Sequence, residues 1–127
     1  MPERYVLDAH AWVEYLRGSS PGRRVKEAID EGEAFTSPIT LAQVLEHASR
    51  SKADLSIVSK AITTMSDIVE VDSELAIIVA QKSAKSKKSA AFEAIYVEAT
   101  AKKLGAHILS GDKSKTSART ISILKIK

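Results

Sequence analysis

Apolar residues along the chain fall into two alternating patterns. Short unbroken runs occur at Tyr5–Leu7, Ile68–Val71 and His107–Leu109, with a fourth at Ala34–Thr36 and a fifth at Ile121–Ile126. Brief runs rich in Val, Ile and Leu predict strands buried on both faces, because such strands lose the polar alternation of a half-exposed sheet. Between them the apolar positions recur every three or four residues, the period of a helix with one buried face.

Start and stop signals bound these helices. Ser19-Ser20-Pro21 opens one that runs through Val25 and Ile29 and closes at Gly32. Ser37-Pro38 precedes Leu41, Val44, Leu45 and Ala48, and Asp54–Met65 continues through Leu55, Val58 and Ile62. Asp72-Ser73-Glu74 starts the helix of Leu75, Ile78 and Val79. Phe92–Leu104 forms another, with Gly105 in the left-handed closing position. Strands that alternate with helices predict an α/β fold, a parallel sheet of four to five short strands flanked by helices. We read residues 1–127 as a single domain.

Composition narrows the chemistry. There are no cysteines, so disulfide scaffolds, cysteine-ligated metal sites and cysteine nucleophiles are excluded together. No apolar run approaches the roughly 18 residues needed to span a bilayer, and the first residues do not read as a secretory leader. A cytoplasmic protein is the expectation. A net charge of +3 is compatible with a nucleic-acid partner without requiring one. The stretch Gln81–Ser89 is basic and low in complexity, and reads either as a solvated helix end or as a phosphate-binding edge. No glycine-rich phosphate loop, serine elbow or dinucleotide fingerprint is present.

In an open parallel sheet, ligands bind beyond the carboxyl ends of the strands. Tyr5–Leu7 delivers Asp8 there, and His107–Leu109 delivers Ser110-Gly111-Asp112. Taken singly, Asp8 fits as the cap of the helix beginning near Ala9, and Asp112 as a turn residue. Together they are two carboxylates at one sheet edge. A divalent cation relieves the repulsion between them, and oxygen ligands suit magnesium or manganese.

Three segments carry a family resemblance. YVLDAHAWVEYLRGS (5–19), SPITLAQVLEH (37–47) and AIYVEATAKKLGAHILSGD (94–112) occur in the order of the motifs of PIN domains, and the chain resembles the VapC-like toxins among them. The resemblance implies a three-layer PIN-like fold and a ribonuclease dependent on Mg2+ or Mn2+. It also implies RNA as substrate, an antitoxin protein as partner and a homodimer. Asp8 falls on the family's first aspartate and Asp112 on its last, with Ser110 in the hydroxyl position before it. The family's glutamate falls on Gln43, and its third acid falls on Ala94 when no gap is allowed. Glu46 and Glu98 lie three and four residues beyond these, displaced about one turn, roughly 5 Å, on nearly the same helix face. Glu93 directly precedes Ala94.

The expected catalytic set is therefore Asp8, Asp112, Glu46 and Glu98, with metal held by Asp8 and Asp112 and by Glu98 or Glu93. His10, Gln43, Ser110, Arg17, Lys87, Lys88 and Lys113, with Lys115, are the expected substrate contacts. Trp12, Tyr15 and Leu16 recur at helical spacing and are expected in the core or at a partner interface. The alternative reading is a PIN-like scaffold with little or no catalysis, which Gln43 and Ala94 favour. A phospho-receiver domain is a weaker third reading, because it needs a phosphoacceptor aspartate on a central strand, and Ile68–Val71 offers only Asp72, at a helix start.

Overall fold

The computed structural model describes residues 2–85, 92–111 and 120–122. Elements follow in the order β1 (Arg4–Leu7), α1 (Ala9–Arg17), α2 (Ser20–Glu31), β2 (Glu33–Thr36), α3 (Pro38–Arg50), α4 (Leu55–Met65), β3 (Asp67–Ile68), α5 (Ser73–Lys85), α6 (Phe92–Leu104), β4 (His107–Ser110) and β5 (Thr120–Ser122). The strands form one sheet in the order β3-β2-β1-β4-β5, and every neighbouring pair is parallel. The chain thus builds outward from β1 to one side, then crosses back and builds outward on the other. The crevice at the carboxyl ends of β1 and β4 is the topological switch point of the sheet.

Side-chain alternation divides the core into layers. Leu7, Ala34 and Leu109 face one side of the sheet, where they pack with Trp12 of α1, Val25 of α2, Val44 of α3 and Ile62 of α4. Val6 and Ile108 face the other side and meet Val97 and Ala101 of α6. Leu75 and Val79 of α5 then pack on Ile95 and Ala99 of α6. The result is the three-layer arrangement of helices, parallel sheet and helices expected from the alternation of elements.

The caps act as the sequence indicates. Ser19, Ser37 and Asp54 each accept a hydrogen bond from an amide in the first turn of α2, α3 and α4. Asp72 accepts from the Leu75 amide at 2.9 Å and from the Lys103 ammonium at 3.0 Å, and these two bonds hold its carboxyl below the usual carboxylate range. Gly105 closes α6 at φ +62°.

Three expectations need correction. Ile68–Val71 is not a strand buried on both faces: only Asp67–Ile68 pairs, at the sheet edge, and Val71 is 37% exposed. An edge strand has one neighbour, so Glu70 and Val71 leave the ladder after Val69 donates to Thr36 O at 2.9 Å. That edge position also removes the premise of a phospho-receiver site there. The last strand begins at Thr120, one residue earlier than expected, and residues 123–127 lie outside the described residues. Trp12 is not available to a partner, because it is fully buried.

Trp12 anchors a chain of polar contacts through the first layer. Its indole N–H donates to Thr36 Oγ1 at 3.0 Å, and Thr36 Oγ1 lies 2.7 Å from Ser66 Oγ. Ser66 spends its one hydroxyl proton on Ile62 O at 2.9 Å, so Thr36 is the donor to Ser66. The chain ties α1, the end of β2 and the end of α4 together. A buried tryptophan also removes on the order of 150–250 Å2 from water, a large share of the apolar burial in this layer.

α1 and α2 approach closely at Gly22. A Cβ there would lie 2.3 Å from the Glu14 carbonyl oxygen and 2.8 Å from its carbon, both backbone atoms. Gly22→Ala is therefore expected to lose about 1–3 kcal/mol of stability, the usual cost of overpacking. Urea unfolding of the purified variant measures it, and an unchanged midpoint would show that the helices separate freely.

Candidate active site

Asp8 sits where β1 becomes α1, and its backbone is extended at φ −88°, ψ 175°. Its amide continues the sheet by donating to Leu109 O at 3.1 Å. One carboxylate oxygen accepts from the Ala11 amide at 2.8 Å, capping α1, and the other accepts from the Ser110 hydroxyl. Asp8 and Ser110 are both 0% exposed. The cap and the buried carboxylate at the strand end, alternatives in the sequence, are thus one residue in two roles.

A second buried carboxylate belongs to the same edge. β2 ends at Thr36, Ser37 caps α3, and Thr40 occupies the first turn of that helix. The Thr40 hydroxyl, fully buried, donates to Glu93 Oε2 at 2.6 Å. Glu93 is in the first turn of α6 and is only 4% exposed. β1 and β2 run parallel, with Val6 opposite Phe35, so their carboxyl ends share one edge of the sheet. α3 starts at that edge, and through Thr40 so does the Glu93 carboxylate. A hydroxyl donating to a carboxylate makes a short, charge-assisted bond that fixes the orientation of the acceptor.

The other expected acids lie elsewhere. Glu98 follows Glu93 by five residues, about 140° further round the helix. Its carboxylate is exposed and pairs with Lys82 of α5 at 3.5 Å. Glu46 is also exposed and pairs with Arg50 on its own helix at 3.4 Å. It lines a cleft of about 410 Å3 between α1 and α3, together with His10, Arg17 and Gln43. Gly111 lies against the first turn of α1, since a Cβ there would lie 2.9 Å from His10 Cβ. Asp112, Lys87, Lys88, Lys113 and Lys115 lie outside the described residues.

The helix period carried a signal for Glu93. Glu93, Val97 and Thr100 are spaced i, i+4, i+7, and all three are buried. A glutamate in register with buried residues turns inward, whereas Glu98, one residue past Val97, turns to solvent. Ala94, the ungapped match to the family's acid, is half-buried.

The donor chemistry at this edge fits a hard divalent cation. Both carboxylates are buried, an amide and two hydroxyls are among the groups that donate to them, and the ligand atoms they offer are oxygens of the kind that magnesium and manganese prefer. Among the described residues no group of three or more Asp, Glu, His or Cys is placed to hold a metal ion. The third carboxylate of the expected set, Asp112, is outside them. No helix among the described residues is long and apolar enough to cross a membrane.

A family profile described as the PIN domain matches residues 5–118. This chain belongs to the PIN domain family. Solved structures of the same fold include a toxin–antitoxin complex from Klebsiella pneumoniae, 13% identical, with a TM-score of 0.78 over 96% of this chain and 99% of that one. VapC20 from Mycobacterium tuberculosis, described as a sarcin–ricin loop cleaving toxin, is 15% identical, with a TM-score of 0.69 over 87% of this chain and 91% of that one. DNA-bound VapBC from Salmonella typhimurium is 14% identical, with a TM-score of 0.68 over 95% of this chain and 98% of that one. No curated protein matches the sequence.

Thr40→Val removes the hydroxyl that holds Glu93 while keeping the side chain's shape. It is expected to cost about 1–3 kcal/mol, because it leaves a buried carboxylate short of a donor. Thr40→Ser should recover most of that loss. Chemical denaturation of the three proteins measures both, and equal stability of the Val and wild-type proteins would mean that the bond carries no energy.

Proposed function

We propose that this chain is a VapC-like toxin, an endoribonuclease dependent on Mg2+ or Mn2+ that hydrolyses RNA phosphodiester bonds. The supporting observation is the pair of buried carboxylates at the carboxyl edge of the sheet, Asp8 under Ser110 and Glu93 under Thr40. VapC20, with the same fold, is described as cleaving the sarcin–ricin loop.

Asp8, Glu93 and Asp112 would hold the ion, which when bound polarises a phosphoryl oxygen and makes water acidic enough to attack it. The chain's own groups supply the preorganisation. Ser110 and the Ala11 amide hold the Asp8 carboxylate, and Thr40 holds that of Glu93, so neither has to be ordered when substrate arrives. His10, Gln43 and Arg17 line the cleft beside Asp8 and would contact the substrate. Lys87, Lys88 and Lys113 would hold flanking phosphates. Glu46 is assigned to the rim of the cleft and Glu98 to the surface between α5 and α6, and each is tied to a basic side chain.

An antitoxin protein and a second copy of the chain are the proposed partners, in the cytoplasm. The neighbours solved as toxin–antitoxin complexes support the first. Leu16, 39% exposed on α1, is apolar surface available to a partner. The non-catalytic scaffold remains the second reading, and Gln43 in place of an acid favours it.

Purified protein is expected to cleave RNA when manganese or magnesium is added. Asp8→Asn and Glu93→Gln should each reduce the rate by about 100-fold or more, at or beyond the 10- to 100-fold typical of losing a supporting partner. Glu46→Gln and Glu98→Gln should stay within about three-fold, as befits exposed ion pairs. Absence of cation-stimulated cleavage on any RNA would favour the scaffold.

A further inference from the structure

The cleft between α1 and α3 carries a second piece of chemistry. Two helical stripes face each other across it. His10 and Arg17 lie on the α1 stripe, and Gln43, His47 and Arg50 on the α3 stripe. Each arginine is tied to a glutamate on its own helix, Arg17 to Glu14 and Arg50 to Glu46, both at 3.4 Å. The rim charges therefore cancel in pairs. The groups left to recognise a ligand are planar: the Gln43 amide and the imidazoles of His10 and His47.

That set is poorly matched to a phosphate, which calls for uncompensated cations. It is well matched to a nucleobase, whose edge pairs with amides and whose face stacks on imidazole or guanidinium planes. About 410 Å3 lies within the range of small-ligand pockets and suits a single nucleoside far better than a duplex. Ala9 and His10 put one end of the cleft at the start of α1, next to Asp8 in the chain. His10 is two residues past Asp8, and Gln43 is three residues past Thr40, one helical turn or roughly 5 Å from the bond to Glu93.

We propose that this cleft reads one unpaired nucleobase beside the cleaved phosphodiester, with the Gln43 amide bonding the base edge. The inference rests on the nuclease reading for the word cleaved, but base recognition stands apart from catalysis. It gives a physical role to Gln43, one of the two positions where the resemblance implies an acid that this chain lacks. A glutamate at 43 would repel the phosphodiester and offer only acceptors. The amide offers a donor and an acceptor side by side, the complement of the N7 and N6 positions of adenine. Adenine is therefore the base expected there.

The test is equilibrium binding of fluorescent pentanucleotides in EDTA, which reports recognition whether or not the strand is ever cut. Oligouridine with one central adenine is expected to bind wild-type protein about ten-fold tighter than all-uridine RNA, the scale of one bidentate contact. Gln43→Ala and Gln43→Glu should each abolish that preference, with unchanged melting temperature because Gln43 is exposed. Equal binding of the two RNAs by wild-type protein, or a preference that survives both substitutions, would overturn the proposal. Failure of cleavage in metal with the preference intact would overturn the nuclease reading and leave base recognition standing.

Discussion

The carboxylate of Asp8 lies at the end of the central strand, with no surface open to water. Ionised carboxylates are costly to bury, by several kcal/mol unless hydrogen bonds replace the lost water. The fold supplies such bonds from two sides. The first turn of α1 gives the Ala11 amide, β4 gives the Ser110 hydroxyl, and the parallel pairing of β1 with β4 sets the distance between them. Removing the parallel register would leave the acid without Ser110, and removing the helix would leave it without its cap. The same logic repeats at Glu93, where the first turn of α3 supplies Thr40. Two buried acids at one sheet edge, each oriented by hydrogen bonds, would gain from a bound cation.

Most of the fold was legible because local rules and tertiary structure agree here. The caps at Ser19, Ser37 and Asp54 mark real helix starts, and Gly105 a real end. Asp8 was legible twice, as a cap and as a strand-end acid. β3 was misread because a Val- and Ile-rich run carries no information about whether one neighbour or two will pair with it. Trp12 at helical spacing left open whether it faced the core or a partner, and its indole donor to Thr36 fixes it in the core.

The second buried carboxylate, Glu93, was harder to read. Ungapped matching favours Ala94, and one-turn displacement favours Glu98. Counting the helix period from Val97 and Thr100 instead brings Glu93 inward. The choice turns on a rotation of 100° per residue, which family spacing alone does not resolve. Gln43 was legible as a departure and as a substrate contact but not as one wall of a cleft, because the facing of α1 and α3 is a tertiary fact. The buried carboxylates mark the carboxyl edge of the sheet, and the Gln43 amide lines the cleft between α1 and α3.

Anomalous diffraction from crystals soaked in manganese tests the central claim most directly. A peak is expected within direct ligand distance, about 2.0–2.2 Å, of carboxylate oxygens of both Asp8 and Glu93, and it should vanish in Asp8→Asn crystals. Manganese seated only on surface acids such as Glu46 or Glu98, with none at the strand edge, would contradict it.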